Sequence, residues 1–143
     1  MEFFQKEIKL EAKPRGFHLV TREILKQFPE IEKIEIGVLQ VFIKHTSAGL
    51  AINENADPTV REDFESHFDK MVPENQPYYK HTLEGPDDMP AHIKSALTGT
   101  SVEIPISGGK PNLGTWQGIY LGEHRNNGGP RKLVLTAWGK SAS

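Results

Sequence analysis

The chain of 143 residues contains no cysteine. A disulfide scaffold, a thiolate metal site and a thiol nucleophile are all excluded by that absence. Long apolar runs are missing too. None approaches the roughly 18 residues that a membrane helix requires, so no membrane partner is expected. The opening stretch, MEFFQKEIKLEAK, carries charge within every apolar segment and does not fit a secretory signal. A soluble cytoplasmic domain is the expectation, in line with a reducing compartment. Charge of one sign is also lacking: seventeen basic residues face nineteen acidic ones, for a formal charge of -2. There is no basic arm or acidic tail, so a dedicated nucleic-acid binder is not expected. The length suits a single domain over residues 1–143 with a sizeable core.

What is present reads as α+β. Partial alternation predicts a strand from about Phe3 to Glu11, then a KPRG turn and a short extended FHLV. TREILKQF predicts a short helix with Thr21 as its cap, a stripe of Ile24, Leu25 and Phe28, and Pro29 as its end. Lys33 to Lys44 alternates as a long strand. Val41 and Ile43 lie on one face and Phe42 on the other, which predicts cover on both sides. SAG reads as a break and LAINEN as the next strand. DPTVREDFESHFDKMVP is the clearest helix: Asp57 at the N-cap, Pro58 at the first position, and Val60, Phe64, Phe68 and Met71 at helical spacing. Pro73 to Met89 reads as loop, with a short extended piece around Tyr78 and Tyr79. Pro90 is expected to open a further helix, AHIKSALTG, stopped by Gly99. SVEIPI, TWQGIYLGEH and RKLVLTAW predict three more strands, and Trp116 and Tyr120 read as packing residues. The expected architecture is antiparallel β structure with two or three helices.

Polar side chains gather where strands end: His45, Thr46 and Ser47; Asn53, Glu54 and Asn55; Glu123, His124 and Arg125. His81 and His92 flank a loop. Such positions commonly line clefts. Imidazoles suit a divalent ion such as Zn2+, with a carboxylate or water completing the shell. His81 and His92 are therefore candidate metal ligands, with His45 or His124 as a third. The competing reading makes His81 a loop residue and His92 a helix residue bonded to a carboxylate. His92, in the first turn after Pro90, would be kept neutral by the outward-pointing amides. Those amides, with Lys94 or Arg125, could equally bind phosphate. Thr46 and Ser47 read as ligand or backbone contacts, and His45 as a general base or substrate contact. Glu54 reads as an acid, a base or an orienter of histidine. A Ser-His-Asp hydrolase is disfavoured, because there is no G-x-S-x-G elbow and His45 and Ser47 are too close in sequence. GGKPNLG lacks the lysine and hydroxyl of a phosphate-binding P-loop.

Three stretches, HTSAGLAINENADPTVREDFE, YYKHTLEGPDDMPAHIKSALTG and LGTWQGIYLGEHR, together resemble the YjbQ family, also called uncharacterised protein family 0047. The resemblance implies a compact α+β fold with an antiparallel β-sandwich-like body and a homotrimeric assembly. It also implies a secondary thiamine-phosphate synthase activity, which joins hydroxymethylpyrimidine diphosphate to thiazole phosphate and releases pyrophosphate. The family pattern falls on His45, Asn53, Glu54, Asn55, Asp57, His81, His92, Glu123 and Arg125. His124 matches only one branch of the family. Position 88 varies between aspartate and asparagine, which implies that no charge is required at Asp88. The candidate catalytic residues are thus His45, Glu54, Asn55 and Arg125. The candidate ligand-binding residues are Thr46, Ser47, Asn53, Lys94 and Glu123. The candidate metal ligands are His81, His92 and His45, for Zn2+ or alternatively Mg2+. A zinc-dependent hydrolase with Glu54 as base, and a non-catalytic metal- or ligand-binding homotrimer, are the other two readings.

Overall fold

Alternating apolar residues build the strands, and the computed structural model describes residues 1–142. β1 (Glu2–Leu10) turns Ile8 and Leu10 inward, and β2 (Gly16–Leu19) follows a short turn. After α1 (Thr21–Lys26) and a 3-10 turn at Pro29–Lys33, β3 (Ile34–Ile43) buries Leu39, Val41 and Ile43. β4 (Ala48–Glu54) leads into α2 (Pro58–Met71), and a long loop then reaches α3 (Asp88–Thr98). β5 (Ser101–Ser107), β6 (Lys110–Pro111), β7 (Gln117–Glu123) and β8 (Arg131–Ser141) complete the chain. The strands form two antiparallel sheets, ordered β1-β8-β3-β5-β6 and β2-β7-β4. Together they make a half-barrel body with three helices, the α+β fold expected. Gly108 and Gly109, both at positive φ, close the two-residue hairpin between Ser107 and Lys110.

One core joins the sheets: Leu39, Val41, Ile104 and Leu135 from the larger meet Leu50, Ile119 and Leu121 from the smaller. Ile24, Phe28 and Ile31 close one end of it. Phe28 is fully buried, and burying a side chain of that size stabilises by roughly 1.5–3 kcal/mol. α2 buries no residue completely; instead it lays Phe64 and Phe68 against Phe17, Tyr120 and His124. No helix among the described residues is long and apolar enough to cross a membrane.

Several local expectations are corrected. Thr21 does not cap α1; Val20 occupies that position, and Thr21 Oγ1 accepts a hydrogen bond from Ile119 N at 2.8 Å. The helix ends at Lys26, and Pro29 starts the 3-10 turn instead of ending α1. Ala48 and Gly49 belong to β4 and are not a break. The Tyr78 region is a turn, with Tyr79 N donating to Gln76 O. Phe42 is exposed, and among the described residues no helix packs closely on the outer face of the five-stranded sheet beside it. Trp116 is 65% exposed and lies outside β7, so it does not pack the interior. α3 begins at Asp88, two residues before Pro90. A proline is tolerated there because the first-turn amides have no partner inside the helix.

α3 is pinned to β4. Ser95 Oγ donates to Ala48 O at 2.8 Å, and Leu50 N donates to Gly99 O at 3.0 Å. The approach is close enough that a Cβ on Gly49 would lie 2.7 Å from Thr98 Cβ. Gly49→Ala should therefore destabilise the protein by about 1–3 kcal/mol, read as a lowered urea midpoint. An unchanged midpoint would mean that α3 can stand further off β4 without loss.

Candidate metal centre

Asp88, at the first position of α3, and His92 stand four residues apart and so share one helix face. The loop before the helix returns His81 to the same place. His81 Nε2 lies 2.6 Å from Asp88 Oδ2, and His92 Nε2 lies 3.1 Å from the same oxygen. The three ligand atoms sit within 4.8 Å of one another. Asp88 is buried, whereas His81 is 49% exposed and His92 31% exposed, so the group opens to solvent on the histidine side.

The hydrogen-bond pattern bears on whether an ion fits. His92 Nδ1 lies 2.8 Å from Thr46 O, and a carbonyl only accepts, so Nδ1 carries the hydrogen. In neutral His92 the lone pair of Nε2 then faces the Asp88 carboxylate. Two acceptors repel at that distance, and a cation between them, either a proton or a metal ion, relieves the repulsion. A carbonyl behind one imidazole and a guanidinium behind the carboxylate are the outer supports that metal ligands characteristically have. Donor type, convergence and outer supports all fit a divalent ion. Ligand atoms about 2.1 Å from a Zn2+ would stand about 3.4 Å apart, so His92 Nε2 would draw back from the Asp88 oxygen by about 0.3 Å and the more exposed His81 Nε2 by about 0.8 Å.

Arg125 anchors the carboxylate. Its Nη1 donates to Asp88 Oδ1 at 2.6 Å, its Nε to Asp87 Oδ2 at 3.0 Å, and its Nη2 to Glu84 O at 3.1 Å. Burial pushes the Asp88 carboxyl upward, but the His81 hydrogen bond, His92 and Arg125 outweigh it and hold the group below its usual range. Burial likewise opposes ionisation of Asp87, and the Asn126 amide and Arg125 overcome it. Behind them lies the fully buried Glu123. It binds Arg131 through both oxygens, at 2.7 Å for Nε to Oε1, and accepts from Arg125 N at 3.1 Å.

The remaining candidate residues separate. Thr46 contributes its carbonyl to His92, and Ser47 O accepts from Arg131 and from His124 N. His45 lies outside the three-residue group; its Nε2 accepts from Lys132 N at 2.8 Å, while burial and Arg131 depress its basicity. Lys94 is buried and paired with Asp69 at 2.7 Å. Asn53, Glu54 and Asn55 stand at the other end of β4 from Thr46, and that seven-residue strand spans about 20 Å at a rise of roughly 3.3 Å per residue. There Asn53 Oδ1 accepts from Glu54 N, Glu54 Oε2 accepts from Asp57 N, and Asn55 Nδ2 donates to Thr115 O and Gln117 O. Asp57 caps α2 as expected, accepting from Thr59 N.

Sequence reasoning missed Asp87 and Arg131, and it discounted the charge of Asp88, which in the fold meets both imidazoles and Arg125. The i,i+4 pair Asp88–His92 was available as a signal, but reading the helix from Pro90 hid it. His92 accordingly lies in the second turn of α3, where the neighbouring carboxylate, rather than free helix amides, sets its environment. The fold and this cluster define an α+β half-barrel protein with a site able to hold a metal ion. The family described as "UPF0047 protein YjbQ-like" matches residues 6–140, and the chain belongs to it. UPF0047 protein YjbQ of Salmonella typhimurium is 52% identical over 138 residues, covering 96% of this chain and 99% of that one. UPF0047 protein YugU of Bacillus subtilis is 39% identical over 104 residues, covering 73% and 76%. A crystal structure of an uncharacterized yjbq/upf0047 family protein from Clostridium acetobutylicum superposes with a TM-score of 0.81 at 39% identity, covering 93% and 99%.

His124 is a separate case. It is buried and stacked on Phe68, its Nε2 meets Thr98 Oγ1 at 3.3 Å, and its Nδ1 has no hydrogen-bond partner among the described residues. Burial, reinforced by Lys94, Arg131 and Arg15, pushes its pKa down to about 3. The neutral ring thus favours the folded state above the unfolded pKa near 6.5, and that contribution fades as pH falls toward about 3. Between pH 7 and pH 5, His124 should account for about 2 kcal/mol of lost stability. Urea unfolding of His124→Phe at the two pH values checks this. The variant should lose less than the wild type by that amount, and equal losses would refute it.

Proposed function

We propose that the chain is a metal-assisted enzyme acting on a phosphorylated small molecule, with secondary thiamine-phosphate synthase-like activity. The observation that carries this reading is the Asp88 carboxylate, shared by two imidazoles and the Arg125 guanidinium, which sets a metal-capable group beside a fixed cation. His81, Asp88 and His92 would hold the ion. This donor set suits Zn2+ better than Mg2+, which prefers oxygen ligands and retained water. When bound, the ion supplies Lewis-acid stabilisation of charge on a departing diphosphate.

Arg125 uses three of its five N–H groups on Asp87, Asp88 and Glu84 O, and the others are free to meet a phosphate oxygen. In the proposed reaction the thiazole nitrogen forms a bond to the pyrimidine methylene carbon. The bond from that carbon to the diphosphate oxygen breaks, and its electron pair leaves with pyrophosphate. The thiazole nitrogen is already nucleophilic, so no serine or cysteine nucleophile is needed.

The histidine-rich donor set and the exposed His81 also favour a second reading, a zinc-dependent hydrolase. Glu54 serves there as base only if another copy of the chain supplies it, given its place at the far end of β4. A homotrimer is the proposed assembly. Phe3, Trp138, Val38 and Pro105 form an apolar row across the uncovered sheet face, which supports self-association. A trimer that binds metal or ligand without turnover is the remaining alternative.

Two measurements test the proposal. Elemental analysis of purified protein should find a divalent ion that is lost in His92→Ala and Asp88→Ala and kept in His45→Ala; equal content in all of them would remove the cluster as the site. Assay with the two phosphorylated precursors, in a background without a dedicated synthase, should give product that falls about a hundredfold in Arg125→Ala. Turnover of one precursor with water alone would instead support the hydrolase. Saturable capture without turnover would support the binding trimer.

A further inference from the structure

His81 has a second face. The residue also forms part of the wall of a cavity of about 200 Å3 that lies between the loop before α3 and the first turn of that helix. No lysine, arginine, aspartate or glutamate lines this cavity. Its volume falls below the roughly 300–1,000 Å3 of sites for drug-sized ligands, so it has room for one ring and not for two.

The walls differ in chemistry. Tyr79, Pro86 and Met89 present flat or polarisable apolar surface, which suits a planar ring. Asn75 and Thr82 supply a carboxamide and a hydroxyl, neither of which is hydrogen-bonded among the described residues. The loop that carries them is already braced. Tyr79 Oη donates to Pro73 O at 3.0 Å, Gln76 Nε2 to Glu74 O at 3.0 Å, and Tyr79 N to Gln76 O at 3.1 Å. Asn75 itself is held at φ 58, a left-handed conformation that asparagine tolerates better than most residues. A site formed in advance loses little entropy on binding, and free polar groups in it determine which ring edge it accepts.

We infer that this cavity is the subsite for the neutral planar ring of a phosphorylated one-ring molecule, with Asn75 and Thr82 reading the ring edge and the phosphorylated arm directed past His81 to Asp88, His92 and Arg125. The direction of the arm rests on the metal-assisted reading above. Of the two rings in the proposed reaction, the aminopyrimidine matches. Its edge offers an amine donor beside a ring-nitrogen acceptor, complementary to a carboxamide. The thiazole has no such edge, and its nitrogen must stay free to attack.

The test uses the full chain and the free hydroxymethyl aminopyrimidine, without its diphosphate, titrated calorimetrically. Wild-type protein should bind it saturably. Asn75→Gly keeps the left-handed backbone and removes the carboxamide, and Thr82→Val removes the hydroxyl at nearly constant volume; each should weaken binding about fivefold. Met89→Trp should fill the cavity and abolish binding. Metal content should stay at the wild-type level in all three. Equal affinity across these proteins, no binding to the wild type, or metal loss in Asn75→Gly would overturn the subsite. Binding that depends on Asn75 with no product from the two precursors would uphold the subsite and remove the synthase. Product formation with an unchanged pyrimidine KM in Asn75→Gly and Thr82→Val would do the reverse.

Discussion

Glu123 and Arg131 form a buried ion pair at the point where β7 ends and β8 begins, and the metal-capable cluster hangs from it. The carboxylate also receives Arg125 N, and the guanidinium donates to Ser47 O. One pair thereby positions Arg125, which grips Asp87 and Asp88, and the segment whose Thr46 carbonyl orients His92. Removing one partner of such a pair leaves an uncompensated buried charge, which costs roughly 3–5 kcal/mol. Glu123 reads in the sequence as a ligand-binding residue. In the fold its oxygens are occupied by Arg131 and Arg125.

The half-barrel and the site divide the work between sheet and helix. The sheets supply a rigid edge at Ser47 and Glu123, and α3, held against β4 at Gly49 and Ala48, brings Asp88 and His92 to that edge. His81 arrives on a loop and is the most exposed member of the cluster. The mixture leaves the carboxylate fixed and buried while one imidazole faces solvent. On the opposite side of α3, Lys94 and Asp69 pair beside the buried His124, so the helix has two separate charged neighbourhoods.

Much of the fold was legible because its signals are local. Alternation marked the strands within a few residues, and Asp57-Pro58 marked the start of α2, because capping and pleating depend only on near neighbours in the chain. The α3 boundary was misread because proline, though most favoured at the first helical position, is tolerated later in the first turn as well. The 3-10 turn at Pro29 and the role of Thr21 were hidden for a different reason: Thr21 answers the amide of Ile119, far away in sequence.

The sequence by itself determined the absence of thiol chemistry, the α+β pattern and the family, together with His81, His92 and Arg125 as residues of interest. Only the tertiary structure decided which polar groups meet. His81 and His92 converge because Asp88 lies between them, and Arg125 joins because Glu123 and Asp87 hold it there. Asn53, Glu54 and Asn55, which look adjacent to His45 and Thr46 in the chain, are carried to the far end of β4. A seven-residue strand separates its two ends by about 20 Å, and no local pattern reveals which end a partner from another element will approach.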